Sequence, residues 1–481
     1  MSLGLSNAFN ILQQSPHDFV DPNASVDSTD SQPKTTGWIP SRYTFRARTV
    51  DDRLVLWNSY TGAISVFSAE QSPLILDMLH KKGFDGEEQG IVKYLADRGF
   101  LVKKGTDEYA RFQLAFGQAQ HRSDALDLIL LSSEDCNFRC VYCYEDFARG
   151  TMRPEIRDGV KKHLLSRLPG LRVLTVGWFG GEPLYGFKAI EDLAPFAWNL
   201  AQEHGIAFYS NMTTNGYLLT PEVAEKLLAW NITSFQITLD GPAQCHDHSR
   251  PTRDGRGSFD VILSNLKGLS RRSERFNVDI RVNYSPQNAL HMDEFLGVVE
   301  QELGADSRFR LRFHPVGKWG GDNDEHLEVC GTEDISRFSL EFERAAREKG
   351  LTLADGFRGA SAMGSQVCYA ARPNSLIVGA TGKVMKCTVL MDKDERNVVG
   401  SLGVDGRLAL DADRMAPWVA PYFESDSHCK RCAVLPVCQG FSCPLPRITS
   451  GERPCIPTRS NWRRHLLSTV QSSKPARRRT V

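Results

Sequence analysis

The sequence predicts an α/β fold, a full or partial barrel of six βα units, on three observations. Strand-like apolar runs alternate with helical ones from about residue 126 to 320, the pattern of a parallel sheet with crossover helices. The runs are short and rich in β-branched and aromatic residues, whereas the segments between them carry apolar residues at helical spacing. The chemically unusual residues fall in the loops that follow strands, where α/β barrels carry their chemistry.

Taken in order, residues 1–37 are rich in Ser, Asp, Asn, Gln and Pro with no apolar period, and read as a disordered leader. Residues 38–110 form a separate module. Tyr43 to Arg48, Leu54 to Trp57 and Ala63 to Phe67 are strands, with a turn at Asn58 to Gly62. Ser72-Pro73 starts one helix, Asp85 with Glu88 makes a capping-box pattern for a second, and Phe100 to Val102 closes the unit as a strand. This order is of winged-helix type.

The barrel region, 124–345, has strands at 126–131, 173–179, 207–213, 234–239, 278–283 and 310–314 and helices near 155–168, 188–204, 221–230, 258–272 and 292–303. From 350 to 465 the alternation fails. Short strands at 376–378 and 383–391, joined by Thr381-Gly382, lead into a Cys-, Pro- and Gly-rich segment with little core of its own in the absence of metal. Residues 470–481, with Lys474 to Arg479, read as a disordered basic tail.

Composition excludes several classes. Lys and Arg number 58 against 58 Asp and Glu, so bulk charge drives no attraction to nucleic acid or a membrane surface. No apolar run approaches the ~20 residues of a bilayer span, and the start lacks the basic and apolar regions of a secretion signal, so a cytoplasmic protein is expected. The 12 cysteines are too sparse for a disulfide scaffold and unevenly placed, as metal-binding or reactive thiols are.

Cys136-Asn-Phe-Arg-Cys140-Val-Tyr-Cys143-Tyr144 sets three thiols at spacings of four and three in one loop after a strand. Three thiolates can hold three corners of an iron–sulfur cubane and leave one iron open, although the spacing also admits zinc. This stretch resembles the CxxxCxxC signature with a following aromatic residue of radical S-adenosylmethionine (SAM) enzymes. Gly180-Gly181-Glu182-Pro183 is similar to that family's GGEP segment after the second strand, which contacts the methionine amino group; two glycines permit close backbone approach, and a carboxylate accepts bonds from an ammonium. Thr214-Asn215-Gly216 resembles the ribose-side loop, and Arg281 with Asn283 matches the carboxylate-binding position. Tyr142 joins them as a cofactor-side residue. Asp240-Gly241-Pro242, followed by His246, Asp247 and Arg250, resembles a substrate-side segment of the peptide- and protein-modifying branch, and also reads as a Gly-Pro turn with a polar loop.

Cys368, Gly382-x4-Cys387, Cys429-x2-Cys432-x5-Cys438-x4-Cys443 and Cys455 resemble the SPASM auxiliary-cluster domain, with one extra residue before Cys443. The resemblance implies one distal cluster on Cys429, Cys432, Cys438 and Cys455, and a nearer one on Cys368, Cys387 and Cys443. A zinc ribbon through Cys429 and Cys432 is the bland alternative. Cys245 and Cys330 fit neither pattern, and His314 and Trp319 end the sixth strand.

The family likeness thus implies a partial (β/α)6 TIM-like barrel with a winged-helix-like N-terminal module, similar to leader-peptide-recognition domains, and a C-terminal SPASM domain. It implies a [4Fe-4S] cluster and SAM as cofactors, two auxiliary [4Fe-4S] clusters, and reductive cleavage of SAM to a 5′-deoxyadenosyl radical. That radical would modify a peptide or protein substrate. An electron donor such as flavodoxin or ferredoxin would be a partner, with no nucleic acid and no membrane. Formylglycine formation on a sulfatase, and a non-catalytic zinc-stabilised peptide-binding protein, are the alternatives.

Overall fold

The computed structural model describes residues 37–85, 89–354, 359–440 and 443–471. The leader through residue 36, Glu88 of the expected capping pattern and the tail from 472 lie outside them. The described residues form two compact units, one from within 1–122, 355–372 and 419–481 and the other from within 123–354 and 373–418.

In the first unit, strand β1 (Trp38–Pro40) precedes a meander of β2 (Thr44–Arg48), β3 (Leu54–Asn58) and β4 (Ile64–Phe67), and β5 (Leu101–Lys103) returns antiparallel to β1. Three helices accompany them: Ser72–His80, Gly90–Asp97 and Glu108–Gln120. The third was not expected from sequence; Asp107 caps it through the amides of Tyr109 and Ala110, and its buried face is Phe112 and Phe116. All five β3 side chains are buried, because both faces of the meander are covered. One face packs on the module's own helices through Leu54, Leu56, Ile75 and Leu95. The other meets the C-terminal segment of the same unit through Val55, Trp57, Val434, Val437 and Leu466. Polar links reinforce this packing: the Trp57 indole donates to the Ser361 carbonyl at 2.9 Å, and Arg42 donates to that of Lys430 at 2.6 Å. The N-terminal module and the Cys-rich segment therefore share core.

The second unit is built on strands β6 (Ala125–Ser133), β7 (Val173–Gly180), β8 (Ala207–Thr214), β9 (Ile232–Thr238), β10 (Asn277–Tyr284) and β11 (Phe309–Pro315), all parallel and each beside its neighbour in sequence. Helices 154–167, 187–203, 221–229, 259–270 and 292–303 form the crossovers, within two residues of the expected ranges. Every residue of β6 is buried, as a central parallel strand requires. Beyond β6 the sheet continues through β12 (Ser375–Val378), parallel to it, and then antiparallel through β13 (Lys383–Met385), β14 (Val398–Leu402) and β15 (Leu408–Leu410). The sheet thus has two ends, β11 and β15, and is an open α/β arrangement. The β11 edge is covered where Leu311 donates to Thr352 and accepts from Ala354, each at 2.9 Å. The expected strand 383–391 stops at Met385, and turns follow. Two unexpected helices lie at Ala243–Ser249 and Thr332–Glu348. No helix among the described residues is long and apolar enough to cross a membrane.

Candidate active site

The loop after β6 carries Cys136, Cys140 and Cys143, and its backbone is held on several sides. Asp135 accepts from the Cys136 amide at 2.7 Å, the Arg139 amide donates to Pro251 at 2.9 Å, and the Val141 amide donates to Ser249 at 3.0 Å. Phe138 is buried edge-on against Tyr217. Cys136 Sγ accepts the Phe138 amide at 3.3 Å and the Asn215 side-chain amide at 3.8 Å. Burial pushes all three thiols up, Cys143 to about 12. Burial of this kind disfavours the thiolate form in the absence of a positive partner. A bound cationic cluster reverses that preference and takes them as thiolates, so this donor set fits an iron–sulfur group.

The neighbouring loops close on this one. A side chain at Gly180, whose φ is +128°, would overlap the Ser133 carbonyl, and a Cβ at Gly181 would lie 2.7 Å from the Asp135 carbonyl. Both glycines are required by the close approach of the loop after β7 to the Cys loop. Glu182 is fully buried and accepts from Leu184 N at 2.9 Å, Thr214 Oγ1 at 2.7 Å and Asn215 N at 2.7 Å. It ties the loop after β7 to the loop after β8, with Pro183 opening a short 3₁₀ turn. Asn215 in turn donates to Asn137 at 2.8 Å. Glu182 thus holds the frame of the site, while burial pushes its carboxyl up.

A second network lies at the ends of β9 and β10. The Tyr142 hydroxyl donates to Asp240 Oδ2 and accepts from Arg250 at 2.7 Å and Asn283 Nδ2 at 3.1 Å. Asp240 Oδ1 accepts the Asn283 amide at 2.9 Å, and Asn288 donates to the Asp240 carbonyl at 2.6 Å. His246 is buried with both ring nitrogens engaged: Nδ1 accepts the Asp240 amide at 3.2 Å and Nε2 lies 3.1 Å from Ser258 Oγ. Burial holds it neutral, its pKa far below the usual range. Asp247 accepts the amides of Ser258 and Phe259 and so caps helix 259–270. Gly241 and Pro242 shape the turn between β9 and helix 243–249. Arg281 is tied through Nε to Asn283 Oδ1 at 2.7 Å, and His314 stands beside Asn283 in register on β11. Arg250, read from sequence only as part of the polar segment, is thus a partner of Tyr142, and Asn288 was not expected at all, although an Asn three residues after Ser285, itself followed by Pro286, is a cap signal.

Beside this network opens a cavity of about 520 Å³ lined by Tyr142, Asp240, Cys245, Asn283, His291 and His326, among others. Its size suits a small ligand or an inserted side chain. On the other flank of the Cys loop, Arg149 pairs with Asp146 and with Asp392 at 2.5 Å and lies 3.7 Å from Glu134, while Lys393 donates to the Tyr144 carbonyl at 2.6 Å. These bonds fix the turn that follows Cys387 against the Cys loop. Cys387 itself is buried, its backbone bonded both ways to the side chain of Asn397.

In the other unit, burial lifts Cys429 to about 11 and Cys438 to about 12, and Cys432 and Cys455 lie close enough to both to add to the rise. Cys443 stands apart with Cys368, whose hydrogen bond holds it down to about 7. No group of three or more His, Cys, Asp or Glu among the described residues is arranged around a single metal ion.

Residues 130–297, which span the Cys loop, the loops after β7 and β8 and the Tyr142 network, match the family model of the radical SAM superfamily. The chain carries a radical SAM domain. Mycofactocin maturase MftC of Mycolicibacterium smegmatis is 30% identical over 281 residues, 56% of this chain and 66% of that protein. A cysteine-type anaerobic sulfatase-maturating enzyme of Clostridium novyi is 29% identical over 197 residues, 39% of this chain and 50% of the relative. The chain spans 43% to 66% of the length of the first curated relatives it matches. The solved structure described as native anSMEcpe with bound AdoMet and Cp18Cys peptide has a TM-score of 0.54 at 17% identity, covering 72% of this chain and 98% of that one. The radical SAM domain therefore sits in a shared α/β fold.

Proposed function

We propose that this protein is a radical SAM enzyme that modifies a side chain of a peptide or protein. The observation that carries the reading is the convergence of Cys136, Cys140, Cys143, the Gly180–Pro183 loop and Asn215 at one end of a parallel sheet, within the matched domain. Cys136, Cys140 and Cys143 would hold a [4Fe-4S] cluster, which when bound would supply a site for SAM and the electron for its reductive cleavage. Gly180, Gly181, Glu182, Pro183, Thr214 and Asn215 shape the amino and ribose side of that ligand, and Arg281 with Asn283 faces its carboxylate. Tyr142 fixes Asn283 and Asp240. The 520 Å³ cavity beside Tyr142 receives the substrate side chain against Asp240, while Gly241, Pro242, His246 and Asp247 hold the segment that carries Asp240 in place.

The maturases and peptide-bound structures among the similar proteins support a peptide substrate. Auxiliary clusters belong to the same reading. Cys429, Cys432, Cys438 and Cys455 are one ligand set, and Cys368 and Cys443, joined by a hydrogen bond, belong to a second, in a SPASM-type region. The 38–110 module is winged-helix-like. Its strand β4 pairs on one side only among the described residues, with β3, which leaves an edge for an extended leader peptide to join.

The test is anaerobic turnover with the reconstituted protein and synthetic peptides encoded beside its gene. The reading predicts 5′-deoxyadenosine, methionine and a mass change in a peptide, all lost in Cys140→Ala. A mass change that persists in that variant would overturn it.

A further inference from the structure

Cys136, Cys140 and Cys143 stand on a single loop, and both of its ends meet one guanidinium. Arg149 pairs with Asp146, three residues past Cys143, and lies 3.7 Å from Glu134, two residues before Cys136. Its third carboxylate comes from a remote part of the sequence: Asp392 stands at 2.5 Å, and Lys393 beside it donates to the Tyr144 carbonyl at 2.6 Å. Asp392 is itself held by Lys383 at 2.8 Å. Backbone strain collects at this junction. Of the five non-glycine residues with positive φ among those described, Phe147 at 58° and Met391 at 49° lie next to it. Such conformations are costly for residues with a Cβ and persist only where the surroundings fix them. Here Asn397 Nδ2 donates to the carbonyls of Met391 at 2.6 Å and Cys387 at 2.8 Å, and the Phe147 ring lies 4.1 Å from the Arg139 guanidinium. Arg139 in turn donates to the carbonyls of Cys136 at 2.8 Å and Phe138 at 2.6 Å, inside the Cys loop.

We propose that Arg149, with Phe147, Asp392 and Lys393, is a positioning residue that braces the Cys loop from both ends, so that its thiols are in place before a cluster arrives. The inference rests on reading Cys136, Cys140 and Cys143 as cluster ligands. The position calls for arginine, whose planar fork can engage carboxylates on several sides at once, where lysine offers a single point charge. The side chains of Glu134 and Asp392 are each only 4% exposed, so without the guanidinium both buried charges lose this partner and the segments they stand on are no longer drawn together. The turns at Phe147 and Met391 are what deliver a ring to Arg139 and a carboxylate to Arg149. A loop held in this way has little freedom left to lose when it takes up a ligand, whereas a loose one must be ordered first. The brace acts after loading as well. Iron leaves through states in which the loop has opened, so a larger open population means faster loss.

Hydrogen exchange in the metal-free, full-length protein reads the brace without any cluster, at the amides of Val141 and Cys143, which donate to the carbonyls of Ser249 at 3.0 Å and Cys140 at 3.1 Å. Arg149→Met/Asp392→Asn, which also removes the buried charge that would lose its partner, should speed both amides by about tenfold or more, while those of β10 stay within about twofold of the parent. Lys393→Met changes an exposed side chain and deletes one hydrogen bond, and should speed exchange at Cys143 by about fivefold. Arg149→Lys should fall between the parent and the double variant. In anaerobically loaded protein, a chelator should strip iron about tenfold faster from Arg149→Met/Asp392→Asn than from the parent, in the phase that Cys136→Ala/Cys140→Ala/Cys143→Ala lacks. Loop exchange within about twofold of the parent in both Arg149→Met/Asp392→Asn and Lys393→Met would overturn the proposal, and so would an acceleration as large at β10 as in the loop, the mark of a general loss of stability. Failure of the underlying reading looks different: the parent and the triple-alanine protein would then hold equal iron and release it in the same phases.

Discussion

Glu182→Gln removes one negative charge from a fully buried carboxylate and leaves its shape unchanged. In the parent protein this carboxylate accepts three hydrogen bonds, from Leu184 N and Thr214 Oγ1 on one oxygen and Asn215 N on the other. The amide oxygen can keep the first two. The amide nitrogen must then face the Asn215 N–H, donor against donor. A hydrogen bond to a charged group contributes about 1.5–3 kcal/mol, and an unsatisfied buried donor costs about 1–3 kcal/mol, so the substitution should cost roughly 3–5 kcal/mol. The cost falls on the junction between the loops after β7 and β8. Native-state hydrogen exchange read at Asn215 should therefore accelerate by a factor of about 10² to 10⁴ in the protein without metal, far more than at amides of β6. Thr214→Val, which deletes one of the three donors, should produce a smaller acceleration at the same amide. Exchange at Asn215 within threefold of the parent in both variants would refute the idea that Glu182 carries this junction.

Other consequences are as direct. Tyr142→Phe strips a hydroxyl that links Asp240, Arg250 and Asn283, and should destabilise the protein by about 2–3 kcal/mol in urea melts while weakening SAM binding measured by calorimetry. Arg149→Met leaves the carboxylates of Asp392 and Glu134, both only 4% exposed, with a missing partner; a loss of about 3–5 kcal/mol is expected, partly restored by adding Asp392→Asn. Glu145 is pushed by burial up to about 8, above the ordinary 4.5 of an unfolded chain. A raised acid contributes stability that is complete below about pH 4.5 and is lost as pH rises through about 8, so the metal-free protein should weaken between about pH 4.5 and 8, and Glu145→Gln should flatten that slope.

Much of this was written in the sequence because strands of a parallel sheet concentrate apolar and β-branched residues between helical stretches, and all six between 126 and 314 stood out in that alternation, although β11 carries Arg310, Arg312 and His314 on its partly exposed face. The residues that meet at their ends were visible too, since cysteine triplets and paired glycines have few other uses. What the sequence hid was pairing across long separations. β1 and β5 are three residues each and pair across some sixty residues, with Lys103 over the Trp38 ring, a contact no periodicity announces. Helix 108–120 was obscured by Leu114, an exposed leucine on what would otherwise be a polar face. Helix 332–348 carries Ile335, Phe338, Phe342 and Ala346 at helical spacing, so its signal was present. The shared core of residues 38–110 with the Cys-rich segment was beyond reach, because Val55 and Leu466 meet across some four hundred residues. His246 and Asp247 show the same limit at the site. Their residue types suggested contact with substrate, whereas their hydrogen bonds spend them on the turn and on a helix end.

The central claim is that Cys136, Cys140 and Cys143 hold the cluster that starts the chemistry, with further clusters on the C-terminal cysteines. Iron and zinc per chain, measured after anaerobic reconstitution of the parent and of a Cys136→Ala/Cys140→Ala/Cys143→Ala protein, test it most directly. The account predicts about twelve irons and negligible zinc in the parent and about eight in the variant, since each cubane carries four, with SAM cleavage abolished. Equal iron in the two proteins, or stoichiometric zinc with no iron in the parent, would contradict it.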